Sequence, residues 1–177
     1  MFKNHKMTIT RFTLTFLFLI NFKNLKAQNT LNPDSLKFSI LTYPELQNQY
    51  FDIQSDTTLV VNFWASWCKP CKAEMPYFEQ LREEFANKKV KILLVTIDVA
   101  EQIESRVKPY LLLNHIENEV VSVQDKVSPL KWIPLICPEW GGSIPITVVM
   151  NKTDGTYFET CFVSYEKLKE AVLPFVK

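Results

Sequence analysis

Two cysteines three residues apart, Cys68 and Cys71, follow an apolar run that predicts a strand and precede a segment that predicts a helix. On the first turn of a helix, residues i and i+3 lie side by side, close enough for a disulfide bond. The free backbone N–H groups of that turn and the helix dipole lower the pKa of the Cys68 thiol from about 8.5. Lys69 adds a cation nearby, and Pro70 fits an early helical position because its missing N–H costs least there. The segment therefore predicts a redox pair with one nucleophilic thiol.

Two other uses of this spacing make demands that the rest of the chain does not meet. A structural zinc site needs four ligands. Cys137 and Cys161 are isolated, and His115 is the only histidine beyond the N-terminal segment, so a second ligand pair is missing and no metal is expected. A purely structural bridge between Cys68 and Cys71 would close so short a loop that it removes little entropy from the unfolded chain. Redox chemistry is the better interpretation.

The elements around the pair predict an α/β fold with a mixed, buried sheet. The run from Leu59 to Trp64 is apolar on both faces, which is typical of a central strand. Lys91 to Asp98 predicts the next buried strand, and strand, helix, strand in this order makes a parallel crossover. Leu36 to Thr42 predicts an edge strand, with a short helix or turn over 43–50. Helical spacing of apolar residues predicts core-facing stripes at Phe78, Leu81 and Phe85, and at Ile103, Val107 and Leu111.

The second half of the chain predicts a strand, a loop, a hairpin and a closing helix. Residues 119–123 predict a short strand. The segment from Ser128 to Ser143 is rich in Pro and Gly and predicts an irregular loop packed by Trp132 and Trp140. Residues 146–150 and 156–163 predict a hairpin around an Asp-Gly turn. The last helix is predicted over 165–176, with Leu168, Val172 and Phe175 facing the sheet.

At the cysteine pair the chain resembles the thioredoxin superfamily, and more narrowly the TlpA/ResA-like extracytoplasmic thiol-disulfide oxidoreductases. The resemblance rests on residues 60–76, VVNFWASWCKPCKAEMP, and on residues 142–150, GSIPITVVM, and it extends over roughly 36–177. It implies a thioredoxin-like fold, with a central mixed sheet flanked by helices. This sequence departs from the common pattern at Lys69, where Gly is frequent, at Asn62, where thioredoxin has a buried Asp, and at the Ser164-Tyr165 turn.

The resemblance also implies roles for the site residues. Cys68 is expected to attack a substrate disulfide and Cys71 to resolve the mixed disulfide. Cys68 should be the exposed thiol of low pKa and Cys71 the shielded one. Pro145 is expected to be cis, so that the Ile144 backbone lies beside Cys68 and a substrate segment pairs with it like an added strand. The substrate-binding residues implied in this way are Trp67, Lys69, Pro70, Ile144 and Pro145.

Glu74 matches the acidic residue that ResA-like proteins carry and is the candidate proton carrier. On a helix it lies three residues beyond Cys71 and on the same face. Burial would raise its pKa toward neutral pH, where a carboxyl group can both accept and return a proton. Asn62 cannot titrate in its place. The alternative is a surface Glu paired with Lys72 or with solvent.

Cys137 and Cys161 are either free thiols or a second bridge. Cys161 is predicted in a strand and Cys137 in a loop, and no register between them is visible in the sequence. Buried cysteine is common as a small apolar residue. We therefore expect two free thiols.

The N-terminal 27 residues predict a secretory signal peptide, with basic residues, an apolar stretch and Ala27 at the expected cleavage site. An uncleaved anchor is the alternative. This segment carries five of the 20 Lys and Arg and none of the 19 Asp and Glu, so cleavage changes the formal charge from +1 to −4. The remaining residues, 28–177, predict one domain without a basic patch for nucleic acid. Export to the periplasm or outside would require a redox partner, for which a membrane-bound electron donor is expected.

The predicted function is an extracytoplasmic thiol-disulfide oxidoreductase that reduces disulfides in exported proteins and needs no cofactor. The resemblance most readily suggests cytochrome c maturation. A thiol peroxidase is the first alternative. Its motif would need Pro at position 61 and Thr or Ser at position 65, but this chain has Val61 and Ala65 there. A folding or docking module without catalysis is the second.

Overall fold

The computed structural model describes residues 35–52 and 56–177. The signal-peptide prediction for residues 1–27 lies outside this range. Among the described residues, no helix is both long enough and apolar enough to cross a membrane.

Six strands form one mixed sheet in the order β1-β4-β3-β2-β5-β6. The strands β1, β4, β3 and β2 are parallel. On the other side of β2, β5 is antiparallel to β2 and β6 is antiparallel to β5. This is the mixed sheet that the sequence predicts, with β1 at one edge. The strands are β1 (Phe38–Leu41), β2 (Thr58–Trp64), β3 (Val90–Thr96), β4 (Glu119–Val123), β5 (Ile146–Met150) and β6 (Gly155–Phe158).

Helices cover both faces of the sheet. The longest, α2, continues through Pro76 without ending there. Between α3 and α4 the helix is π-helical over Ile103–Val107, and a π-helical segment of the same length, Gln47–Phe51, follows α1. The helices are α1 (Tyr43–Leu46), α2 (Lys69–Glu84), α3 (Ala100–Gln102), α4 (Lys108–Leu113), α5 (Pro129–Ile136) and α6 (Tyr165–Val172), with a 3₁₀ turn at Leu173–Phe175.

The strand β2 lies at the centre because it can be buried on both faces. All seven of its residues are buried, and it pairs with β3 on one side and β5 on the other. Alternate side chains enter two separate cores. One core contains the predicted stripes of α2, the 103–111 helix and α6, whereas the other contains α1, Trp132 and Trp140. The central strand and the three apolar stripes are therefore confirmed, with Phe175 half-buried.

Two predictions in the second half of the chain are wrong. The segment 128–143 is not irregular throughout, because Pro129–Ile136 forms α5. Proline is favoured at the start of a helix, where its fixed φ fits and its missing N–H is not needed. Proline is equally common in loops, so its presence alone does not predict this helix. The aromatic packing was predicted correctly, since Trp132 and Trp140 are buried.

The second strand of the hairpin is also shorter than predicted. It ends at Phe158 and does not continue to residue 163. Its register pairs Phe158 with Thr147, so residue 160 would face Pro145, which has no N–H to offer the ladder. Cys161 therefore lies in the connection to α6 and not in a strand.

Candidate redox active site

The cysteine pair lies at the junction between the end of β2 and the start of α2. The chain turns over Ala65–Cys68, with the Cys68 N–H donating to the Ala65 carbonyl at 3.0 Å. Cys68 caps the helix, and the Cys71 N–H donates to its sulfur at 3.2 Å. The two residues form a disulfide with Cα atoms 5.3 Å apart, within the usual range of such bonds. The predicted pairing on a first helical turn is present.

Cys68 is more covered than the sequence predicts, whereas Cys71 is shielded as predicted. Cys68 keeps 5% of its surface exposed and Cys71 keeps none. The order is the predicted one, but Cys68 is largely shielded in the oxidised state. The carbonyl oxygen of Ile144 lies 3.9 Å from Cys68 Sγ and covers it in part.

The peptide bond between Ile144 and Pro145 is cis, as predicted. This bond immediately precedes β5, which pairs with β2. Strand pairing therefore brings the Ile144 backbone to the cysteine pair.

Exposed apolar side chains and the Lys69 cation lie beside the disulfide. Trp67 is 57% exposed although it directly precedes Cys68. Lys69 and Pro70 are also exposed on the first turn of α2, whereas Ile144 is half-buried and Pro145 is buried. Of the five predicted substrate-binding residues, Trp67, Lys69 and Pro70 are next to the cysteines in the sequence. The other two, Ile144 and Pro145, form the cis peptide bond before β5.

Glu74 is completely buried, which excludes the surface alternative. Its Oε1 accepts a hydrogen bond from Asn62 Nδ2 at 2.8 Å, and its Oε2 accepts one from the Phe162 N–H at 2.8 Å. Burial raises the pKa of Glu74 to about 7, with these hydrogen bonds acting in the opposite direction. A carboxyl group with this pKa exchanges protons in the neutral range.

Asn62 of β2 links Glu74 to the sheet. Its Nδ2 also donates to Thr147 Oγ1 at 3.0 Å, and all three side chains are buried. Within the described part of the chain, Asn62 Oδ1 has no hydrogen-bond partner.

Cys137 and Cys161 are free thiols, as predicted, but their surroundings differ. Cys161 Sγ lies 3.3 Å from the carbonyl oxygen of Pro70 and also interacts with the Glu74 carboxyl. Burial raises the pKa of the Cys161 thiol, and the charge of Glu74 raises it further. Cys137 is buried in the other core. The sequence does not indicate that Cys161 lies beside the active site.

Asp98 is a second residue whose place the sequence did not predict. It follows β3, is buried, and accepts hydrogen bonds from Ser66 in the turn before Cys68. The only sequence signal is an acid at the carboxyl end of a buried strand. Within residues 35–52 and 56–177, no group of three or more Cys, His, Asp or Glu could hold a metal ion.

The fold and the site together define a thioredoxin-like domain. A cysteine pair begins a helix after a central strand, and a cis-proline precedes the neighbouring antiparallel strand. The chain belongs to the AhpC/TSA family, whose model matches residues 42–132.

Individual relatives agree with this assignment. The thiol-disulfide oxidoreductase ResA of Oceanobacillus iheyensis is 37% identical over 84 residues, which cover 45% of this chain and 44% of that protein. Thioredoxin C-2 of Corynebacterium nephridii is 40% identical over 81 residues, covering 44% of this chain and 73% of that protein. This chain therefore spans less than half the length of the ResA relative.

A solved structure supports the fold alone. The thioredoxin-related protein from Neisseria meningitidis serogroup B has a TM-score of 0.57 at 21% identity, covering 71% of this chain and 88% of that one. The thioredoxin-like fold class is confirmed.

Proposed function

We propose that the protein is a thiol-disulfide oxidoreductase acting on disulfides of other proteins. The observation that carries the proposal is the Cys68–Cys71 disulfide at the start of α2, with the Ile144 carbonyl 3.9 Å from Cys68 Sγ. A sulfur next to an extended backbone segment can meet the disulfide of a substrate strand that pairs with that segment.

In the reductive direction, the reduced protein transfers two electrons to its substrate. The Cys68 thiolate attacks one sulfur of the substrate disulfide, forms a mixed disulfide and releases the other substrate sulfur as a thiolate. Cys71 then loses its proton and attacks Cys68 Sγ. This step forms the Cys68–Cys71 disulfide and releases the second substrate thiolate. The oxidised state described above is the product of this cycle, and a dithiol donor must reduce it again.

Glu74 serves as the proton carrier for Cys71. It lies three residues further along the same helix, is fully buried, and has a pKa of about 7. A group of this pKa accepts a proton from the resolving thiol and returns it when the pair is reduced again.

The substrate segment lies across the exposed start of α2. Trp67 and Pro70 supply apolar contact, Lys69 supplies a cation, and the Ile144 backbone before Pro145 supplies strand pairing. This arrangement favours an extended protein segment over a small molecule.

The proposed setting is extracytoplasmic. The N-terminal 27 residues have the pattern of a signal peptide, and disulfide substrates persist outside the cytosol. A reductase there needs a membrane-bound electron donor. We include cytochrome c maturation as the candidate pathway because of the ResA-like motif, and we assign the reductive direction because strongly oxidising relatives usually carry His between the cysteines.

Trapping tests the proposal directly. In a Cys71→Ser variant, the mixed disulfide on Cys68 cannot be resolved, so exported substrate proteins should stay attached and be released by dithiothreitol. A Cys68→Ser variant is the matched control and should trap far less. Wild-type protein should also accelerate insulin reduction by dithiothreitol. Failure in both assays contradicts the proposed activity.

Two further measurements test the roles and the direction. Iodoacetamide should label Cys68 before Cys71 in the reduced protein, with a pH midpoint below the ordinary thiol value of about 8.5. Equilibration with glutathione gives the redox potential. A value near those of the strongest known oxidants contradicts the reductive direction.

A thiol peroxidase is the second candidate, because the matching family carries the AhpC/TSA description. The peroxidase motif is absent here, since Val61 and Ala65 occupy its Pro and Thr or Ser positions and both are buried. Peroxide consumption by the reduced protein distinguishes the two activities. A docking module without catalysis would show neither activity.

A further inference from the structure

Asp98 lies next to the active-site turn, in a buried position that a carboxyl group rarely occupies. It is 1% exposed, and it follows β3 at the end where Thr96 pairs with Trp64 of β2. Burial of a carboxyl group is costly unless hydrogen bonds or opposite charges compensate. No ion pair to Asp98 occurs among the residues the structure describes. Its compensation is therefore hydrogen bonding.

Ser66 supplies two of the three donors to that carboxyl. The Ser66 N–H donates to Asp98 Oδ2 at 2.7 Å, and the Ser66 hydroxyl donates to Oδ1 at 2.6 Å. The Thr96 hydroxyl donates to Oδ2 at 2.6 Å. Each carboxyl oxygen thus accepts one hydrogen bond from Ser66, and the carboxyl holds that residue at two points.

The other end of Asp98 is fixed to the sheet. Gln124 Nε2 donates to the Asp98 carbonyl oxygen at 2.8 Å and to Ser122 Oγ of β4 at 2.8 Å. The Asp98 backbone N–H lies 3.2 Å from Thr96 Oγ1 and donates to it. Asp98 is therefore anchored to β3 and β4, and its carboxyl holds the turn after β2 through hydrogen bonds.

Ser66 is two residues before Cys68 in the turn that the Cys68 N–H closes onto Ala65. A displacement of Ser66 moves Cys68 relative to Cys71 and to the Ile144 carbonyl. The rate and equilibrium of disulfide closure depend on how closely the two sulfurs are held together, since a fixed geometry acts as a high effective concentration.

We propose that Asp98 is a positioning residue for disulfide exchange, which holds the Ser66 turn so that Cys68 stays within closing distance of Cys71. This role rests on the proposed oxidoreductase function. It predicts that loss of the Asp98–Ser66 contacts shifts the thiol-disulfide equilibrium toward the dithiol, because the pair closes less readily.

Two variants remove the contact from opposite sides. Asp98→Asn replaces an acceptor oxygen by an NH₂ group facing donors, and Ser66→Ala removes the hydroxyl but keeps the backbone N–H. The equilibrium with glutathione should shift about three- to tenfold toward the dithiol in both variants, the ratio that the net contribution of one hydrogen bond produces. Ser66→Thr keeps a hydroxyl donor and should restore the wild-type equilibrium.

Asp125→Asn is the matched control. Asp125 also accepts backbone N–H groups, from Tyr43 and Val127, but it lies in the connection after β4. It should leave the equilibrium unchanged even if it lowers stability.

Thermal unfolding of each variant separates positioning from folding. If Asp98→Asn does not fold, the Ser66→Ala and Ser66→Thr pair carries the test. Folded Asp98→Asn or Ser66→Ala with a wild-type glutathione equilibrium overturns the proposal. The glutathione measurement needs no protein substrate. An unchanged equilibrium in the variants contradicts the positioning role, whereas a wild-type protein that fails to reduce insulin contradicts the proposed oxidoreductase function.

Discussion

Two buried acids flank the cysteine pair, and their hydrogen-bond donors differ. Asp98 takes two of its three donors from Ser66, so it holds one short turn in place. Glu74 takes its donors from separate elements, the Asn62 amide of β2 and the Phe162 N–H before α6. Only Glu74 has a thiol, Cys161, as a further neighbour.

The difference indicates how similar residues acquire different tasks. An acid whose oxygens are tied to one turn can position that turn. An acid that shares a helix with Cys71 and has a pKa of about 7 can change its protonation state during turnover. Substitutions at Glu74 and at its neighbours can test whether this division of tasks holds.

The largest expected effect is on the pH dependence of stability. The folded-state pKa of Glu74 is about 7, above the ordinary value of 4.5, so the folded protein binds more protons than the unfolded chain between these values. The contribution of Glu74 to the free energy of unfolding is therefore largest below about pH 4.5. It falls by up to about 3 kcal/mol as the pH rises to 7.

Urea unfolding of the oxidised protein from pH 5 to 8 measures this slope. Glu74→Gln should flatten it, whereas Glu83→Gln, at an exposed position of the same helix, should retain it. An unchanged slope in Glu74→Gln shows that another group is responsible.

The second prediction concerns the rate at which Cys71 resolves a mixed disulfide. Glu74→Gln removes the proton acceptor and should slow this step about a hundredfold at pH 7, the typical contribution of a general base. Rapid mixing of reduced protein with a model disulfide, followed over pH 5 to 9, measures the step. Glu83→Gln is again the control. Equal rates for wild type and Glu74→Gln at every pH mean that Glu74 is a spectator.

Spacing and apolar pattern predicted the part of the site that follows chain continuity. Cys68 caps α2, and Cys71 and Glu74 lie on it, so the spacing of the three residues in the sequence predicts their relation. The burial of β2 and the stripes of α2 and α6 follow from periodicity for the same reason. The cis geometry of Pro145 was accessible only through resemblance, because base rates favour trans.

The rest depends on contacts between distant segments. Asp98 reaches Ser66 only because β3 and β2 end side by side. Cys161 reaches Glu74 only because β6 ends at Phe158 and the chain then turns toward α2. The helix α5 was missed because Pro129 serves equally as a loop residue and as a first helical residue.

The third prediction adds a second acid next to Glu74. Asn62→Asp would place a carboxyl where the amide now donates to Glu74 Oε1 at 2.8 Å. Two carboxyl groups at this separation cannot both ionise easily, so the pair titrates in two steps and the later step moves to higher pH. Resolution of the mixed disulfide should slow several-fold at pH 7, because a smaller fraction of Glu74 is then ionised and able to accept the proton. Thr147→Val is the uncharged control, since it removes the other partner of Asn62. A wild-type pH profile in Asn62→Asp contradicts the link between Asn62 and Glu74.

The smallest expected effect compares the two free thiols. The interaction with the Cys161 thiol lowers the pKa of the Glu74 carboxyl, in opposition to burial. Cys161→Ala should therefore raise the pKa of Glu74, move the pH profile of mixed-disulfide resolution upward, and slow the step about two- to threefold at pH 7, as expected for one weak donor. Cys161→Ser keeps a donor and should restore the wild-type profile. Cys137→Ala removes a thiol of the same kind from the opposite core, and it should leave the profile unchanged even if the cavity lowers stability. Equal shifts in Cys161→Ala and Cys137→Ala would indicate a general effect of cysteine loss and remove Cys161 from the Glu74 side of the site.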